Sequence, residues 1–142
     1  MTQREKNTAI YPSYTENPVY QELVIMANNA GIKIEYREQD DDNVVGEARA
    51  PEYQEPVVDM MNNFDYGTDE HAAFLLAHEI AHTLVSSFYS EASHHFYQDT
   101  SHVRWFIEAD ADKIGAALYC LAEMTANFRA ESVIREQVLN AK

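Results

Sequence analysis

One cysteine, ten basic side chains and no long apolar run are the scarcities that bound this 142-residue sequence. A lone cysteine, Cys120, cannot close a disulfide within the chain, so the fold has to rest on a hydrophobic core. Set in the apolar stretch AALYCLAEM, it reads as a small buried hydrophobe in a reducing compartment. The opening MTQREKNTAIYPSYTENP lacks the apolar core and small-residue cleavage site of a secretory signal. No stretch is apolar over the length needed to cross a bilayer. The expected location is therefore cytoplasmic, with no membrane partner. Internal repeats and low-complexity tracts are also missing. Ten basic residues against 24 acidic ones leave a net charge of −14. Such a field repels phosphate backbones, so direct nucleic-acid binding is not expected. It is compatible with a well-solvated surface, with a basic partner or substrate, or with mimicry of DNA charge that blocks a DNA-binding protein.

What is present suffices for one core: 46% of the residues are hydrophobic, and the length suits one domain. Residues 1–16 are polar with scattered aromatics and read as a flexible N-terminal arm, leaving 17–142 as the domain. Asn17-Pro18 opens a helix that Gly31 closes, with Tyr20, Leu23, Val24, Ala27 and Ala30 at helical spacing. Ile32, Ile34 and Tyr36 alternate with charged neighbours as a strand does, and Val44 to Ala50 and Pro56 to Met61 read as two more. These three suggest a small antiparallel sheet. Thr68 caps a second helix, expected to run to about Tyr89. Ser90 to Ser101 reads as a loop, His102 to Met124 as a long helix and Asn127 to Leu139 as an amphipathic terminal helix packed on the rest. The order helix, strands, helices gives an α+β fold.

The chemistry centres on His78-Glu79-Ile80-Ala81-His82. Residues four apart on a helix lie one turn apart on nearly the same face, so His78 and His82 can bind one Zn²⁺. Glu79 between them then reaches a water at the metal. The surrounding positions, Phe74 to Ala77, Ile80, Ala81 and Leu84, are apolar, and histidines buried there need partners that a metal supplies. A third protein ligand is required. In the longer motif His-Glu-x-x-His-x-x-Gly-x-x-His it is a histidine, but Val85 and Phe88 occupy the last glycine and histidine positions here. The alternative is an acid on the following helix, and Glu108-Ala109-Asp110-Ala111-Asp112 offers one. Glu108 and Asp112, four apart, can both face the first helix. Glu108 can ligate while Asp112 accepts a hydrogen bond from a ligand histidine and fixes its tautomer. Asp110 lies on another side and is assigned to solvent.

His78 to His82, followed by Glu108-x-x-Ala111-Asp112 and the tail Ile114-Gly115-Ala116-Ala117-Leu118, resembles the ImmA/IrrE-type metallopeptidases of phages and mobile elements. Upstream, a leading helix and strands like IKIEYRE, VVGEARA and PVVDMM extend the resemblance to residues 17–124. It implies a zincin-like domain in which the sheet packs on a helical bundle carrying the His-Glu-x-x-His helix. It also implies a gluzincin-like site, with His78, His82 and Glu108 as zinc ligands and Glu79 as catalytic base. The substrates it implies are regulatory proteins, typically helix-turn-helix repressors. Asp112 stands where such proteins often carry Asn, and the segment between the two site helices is long and rich in His and Tyr. The tract Glu108 to Cys120 is also similar, more weakly, to the metallopeptidase domain of ArdC-type antirestriction proteins.

His71, two turns before His78, is expected at a solvent-facing helix end. His94, His95, Tyr97 and His102 could each donate to an oxyanion, and Tyr97 is the candidate carried forward. The expectation is a zinc metalloendopeptidase. Its rivals are a non-catalytic, zinc-stabilised binding module and an acidic inhibitor of DNA-binding proteins.

Overall fold

Asn17 sits in extended backbone, and its side-chain oxygen accepts from the amides of Val19 and Tyr20 at 3.0 and 3.1 Å. Pro18 has no amide to leave unpaired, so helix α1, Pro18–Asn29, begins there, and Gly31 turns the chain away at φ +75°. The computed structural model describes residues 12–39, 45–49, 55–62, 64–96 and 100–141, and over 86–96 and 100–107 the backbone alone. Within them follow β1 (Lys33–Arg37), β2 (Gly46–Arg49) and β3 (Val57–Met61), then α2 (Asp69–Phe96) and α3 (Thr100–Asn140). The Thr68 hydroxyl accepts from the amide of His71 at 3.1 Å and caps α2 as expected. The architecture is α+β, with three α-helices and one three-stranded sheet among the described residues.

The sheet order is β1-β3-β2, and it is mixed where an antiparallel one was expected. β1 runs parallel to β3, with Lys33 opposite Val57 and Arg37 opposite Met61, while β2 runs antiparallel to it. Every residue of β3 is buried, which makes it the central strand and leaves β1 and β2 to flank it. Alternation of side chains reveals a strand but carries no information on its neighbours.

Three further expectations are corrected. The loop placed over 90–101 is largely helical, since α2 continues to Phe96 and α3 starts at Thr100. No glycine or proline interrupts the segment, and polarity alone does not break a helix. Likewise the terminal helix expected over 127–139 is the far end of α3. Thr125 does not divide them, because its hydroxyl donates to the carbonyl of Leu121 at 2.8 Å inside the helix. The N-terminal arm is not loose at its inner end. Ser13–Glu16 form a 3₁₀ turn that buries Tyr14, whose hydroxyl donates to the Met61 carbonyl at 2.9 Å. The Tyr14 ring meets those of Tyr20 and Tyr66 edge-on. Residues 1–11 lie outside the described residues.

One core joins the layers: Tyr20, Leu23 and Ala27 of α1, Val58 and Met60 of β3, and Leu76, Ala77 and Ile80 of α2. α3 adds Ala122 to it, with Leu118 and Tyr119 packed alongside, and buries Ala111, Gly115 and Ala126 as well, whereas Cys120 is exposed, not buried as expected. Arg129 reaches back to the buried carboxylate of Glu22 and ties α3 to α1. Among the described residues no helix is long and apolar enough to cross a membrane.

Candidate metal centre

The helical repeat sets His78 and His82 on one face of α2. Their Nε2 atoms approach to 3.0 Å, with the two rings nearly perpendicular. Glu79, about 100° further round the helix, leaves that face and turns toward β2. There it is 7% exposed and accepts a hydrogen bond from the Ala48 amide. β2 lies close: a side chain at Gly46 would meet Leu75 at 3.2 Å and Glu79 Cγ at 3.4 Å.

α3 supplies the acids. Glu108 straddles the two imidazoles, with Oε2 3.3 Å from His78 Nε2 and Oε1 3.3 Å from His82 Nε2. One turn on, Asp112 Oδ1 accepts from His78 Nδ1 at 2.9 Å. That bond puts the His78 proton on Nδ1 and leaves Nε2 with a lone pair facing His82 and Glu108. A second turn along α3, Gly115 makes this reach possible. A Cβ there would lie 3.0 Å from His78 Cα and 3.1 Å from His78 N, against backbone that cannot give way. The glycine sets the helix spacing at the very residue that carries the first imidazole.

Burial lowers the pKa of His82, against the opposing pull of Glu108, and so favours the neutral imidazole that binds metals. Burial also pushes the Glu79 carboxyl up to about 7, helped by the negative charges of Glu108 and Glu47 and opposed by His78 and the Ala48 amide. A carboxyl poised there can both take and return a proton near neutral pH.

Ligand atoms of His78, Glu79 and His82 all lie within 4.8 Å of one another, a group able to hold a metal ion. Glu108 is the better third donor, because its oxygens sit at 3.3 Å from both imidazoles while Glu79 is committed to β2. Tetrahedral zinc with arms of about 2.0–2.1 Å has donor-to-donor edges of about 3.3 Å. The 3.0 Å between the imidazoles, and the 3.3 Å from each of them to one of the two Glu108 oxygens, are close to that edge. The donor set, two imidazoles and a carboxylate, suits zinc chemically. The side chain of Glu108 is 57% exposed, so the donors open to solvent on the α3 side.

No family model, curated protein or solved structure matches the chain. The arrangement therefore has to be read from its own geometry. Five residues singled out in the sequence, His78, Glu79, His82, Glu108 and Asp112, come together. Tyr97 lies outside the described residues, as do the side chains of His94, His95 and His102. His71 is exposed at the start of α2. Two contributors were not recognised, Gly115 and the β2 backbone at Gly46 and Ala48. An interior helical glycine costs about 1 kcal/mol against alanine, so Gly115 was itself a signal of close approach. The β2 contact had no signal, since it depends on sheet order.

Proposed function

We propose that the chain is a zinc-dependent peptidase of zincin-like, gluzincin type. His78, His82 and Glu108 are its metal ligands, Asp112 orients His78, and Glu79 is the general base. The observation that carries this is the convergence of three donors at zinc-like separations beside a buried carboxyl that none of them needs as a ligand. A purely structural site has no use for Glu79.

When bound, zinc supplies a Lewis acid that polarises the scissile carbonyl and acidifies water. The chain's own residues do the rest. The Asp112 carboxylate holds the His78 ring by Nδ1, so that Nε2 stays directed into the site. The β2 backbone lies against Glu79, which is buried there and takes a hydrogen bond from the Ala48 amide. The Glu79 carboxylate takes a proton from the attacking water and delivers it to the leaving amine nitrogen. The substrate class we propose is a regulatory protein such as a helix-turn-helix repressor, on the resemblance to ImmA/IrrE-type metallopeptidases. The charge supports it, since a chain at −14 attracts the basic face of a DNA-binding protein.

The test is incubation of zinc-loaded wild type and Glu79→Gln with helix-turn-helix regulators encoded beside the gene, read by mass spectrometry. Specific fragments from wild type alone support a peptidase. Equal fragments from both point to a contaminating protease. No cleavage by zinc-loaded wild type favours a non-catalytic zinc-stabilised module, and an inhibitory effect retained in Glu79→Gln favours an acidic decoy.

A further inference from the structure

α3 outruns the domain. Ala126 is its last buried residue, and Arg129 its last tie to α1. Beyond it Phe128, Val133, Ile134, Val138 and Leu139 are 52–67% exposed. Val133 lies across the helix from Phe128, so neither face of this segment is covered. A free stretch of about four turns is marginal on its own in water, and Phe128, Val138 and Leu139 of this one continue a ridge that starts further up the helix, while Val133 and Ile134 face elsewhere. At 100° per residue, Leu121, Met124, Phe128 and Leu139 fall on one side, with Val138 at its edge.

The ridge is interrupted by two charges one turn apart, Glu131 and Arg135. Among the described residues neither makes an ion pair. Residues 128, 131, 135 and 138 keep the alternating spacing of three and four that a two-helix seam requires. The seam thus reads apolar, acid, base, apolar, and a two-fold axis between Glu131 and Arg135 maps it onto its own complement. Antiparallel pairing sets Glu131 against the partner's Arg135, Arg135 against the partner's Glu131, and Phe128 against the partner's Val138. Parallel pairing would oppose like charges at both positions. The balance of charge leaves this segment nearly neutral. Residues 127–142 carry three basic and two acidic side chains, a net of +1, so the remainder carries −15. The arm is thus spared the strong acidity of the rest of the chain, and antiparallel arms hold the acidic domains at opposite ends. An isologous contact of this kind closes on itself as a dimer.

We propose that the far end of α3 is a homodimer interface, an antiparallel two-helix seam centred between Glu131 and Arg135 of two copies of the chain.

The test is multi-angle light scattering on the full chain over about a hundredfold range of concentration. A thiol reductant is present, so that exposed Cys120 cannot cross-link. The expected result is a monomer–dimer equilibrium. Glu131→Arg alone, or Arg135→Glu alone, replaces two attractions per dimer by two repulsions and should weaken it by about tenfold or more at low salt. The double exchange Glu131→Arg with Arg135→Glu should restore it to within about threefold. Both positions are exposed, and unchanged circular dichroism of the variants secures the comparison. A monomer at every concentration overturns the proposal. So does a dimer indifferent to the exchanges, which would use another surface, or a monomer that binds anionic lipid vesicles through this segment.

Discussion

Over residues 108–126, α3 packs on α2 and α1, with Ala111, Gly115, Ala122 and Ala126 buried and Leu118 and Tyr119 half-buried against the core, while over 127–140 it exposes Phe128, Ile134 and Leu139. The uncovered half is the less apolar one, with 6 hydrophobic residues of 14 against 12 of 19 in the covered half. Where α3 comes closest to α2 the side chain is the smallest possible, because small residues let two helix backbones come together and large ones hold them apart. The close half also carries the chemistry. Glu108 and Asp112 reach His78 and His82 because Gly115 leaves no Cβ between the helices.

The largest expected effect that sharpens this contrast is catalytic. Glu79→Gln should keep the zinc and the fold yet lose about 10²–10⁴ in cleavage rate, as removal of a general base does. Metal content and single-turnover cleavage on the same preparation check both halves of the claim. Loss of the zinc in this variant would make Glu79 a ligand.

The second effect is on stability without metal. The Glu79 carboxyl is raised from 4.5 to about 7 in the folded chain, chiefly by burial. Its folded form holds the proton more tightly than the unfolded one, so ionisation opposes folding. That cost is absent below about pH 4.5, grows as pH rises and is complete above about 7. At about 1.4 kcal/mol per unit it amounts to about 3 kcal/mol. Metal-free Glu79→Gln should therefore exceed metal-free wild type by about that much at pH 7.5 and match it at pH 4, measured by urea unfolding. A difference independent of pH would contradict the burial of the carboxyl.

Asp112 gives the third. Asp112→Ala removes the acceptor at His78 Nδ1 and should weaken zinc binding by about 10–100-fold, less than outright loss of a ligand. Chelator competition reads this, and an affinity equal to wild type would leave Asp112 without a role at the metal.

The smallest effects compare the two ends of α3 directly. Gly115→Ala forces a Cβ against His78 backbone and should cost about 1–3 kcal/mol in unfolding, with a weaker hold on zinc. Phe128→Ala in the uncovered half should change the stability of the monomer by no more than about 0.5 kcal/mol. Equal costs at both positions would break the comparison.

Much of this was legible in the sequence where the signal is local. Asn17-Pro18 and Thr68 mark helix starts because capping is short-range chemistry, and both start where expected. His78, Glu79 and His82 were legible for the same reason, since spacing of four on a helix is geometry. Glu108 and Asp112 needed a second helix, and their own spacing of four supplied it. What escaped depends on partners distant in sequence. Strand alternation concealed that β1 and β3 run parallel. The polar composition of 90–101 suggested a loop where the backbone continues as helix. Tyr14 looked like part of a loose arm because its hydrogen-bond partner, Met61, lies 47 residues away.

The central claim is that His78, His82 and Glu108 form one zinc site, and a zinc titration of metal-free chain against a chromophoric chelator tests it most directly. The account predicts one tight site per chain in wild type, abolished in Glu108→Ala. Zinc binding that is absent in wild type, or equally tight in Glu108→Ala, would contradict it.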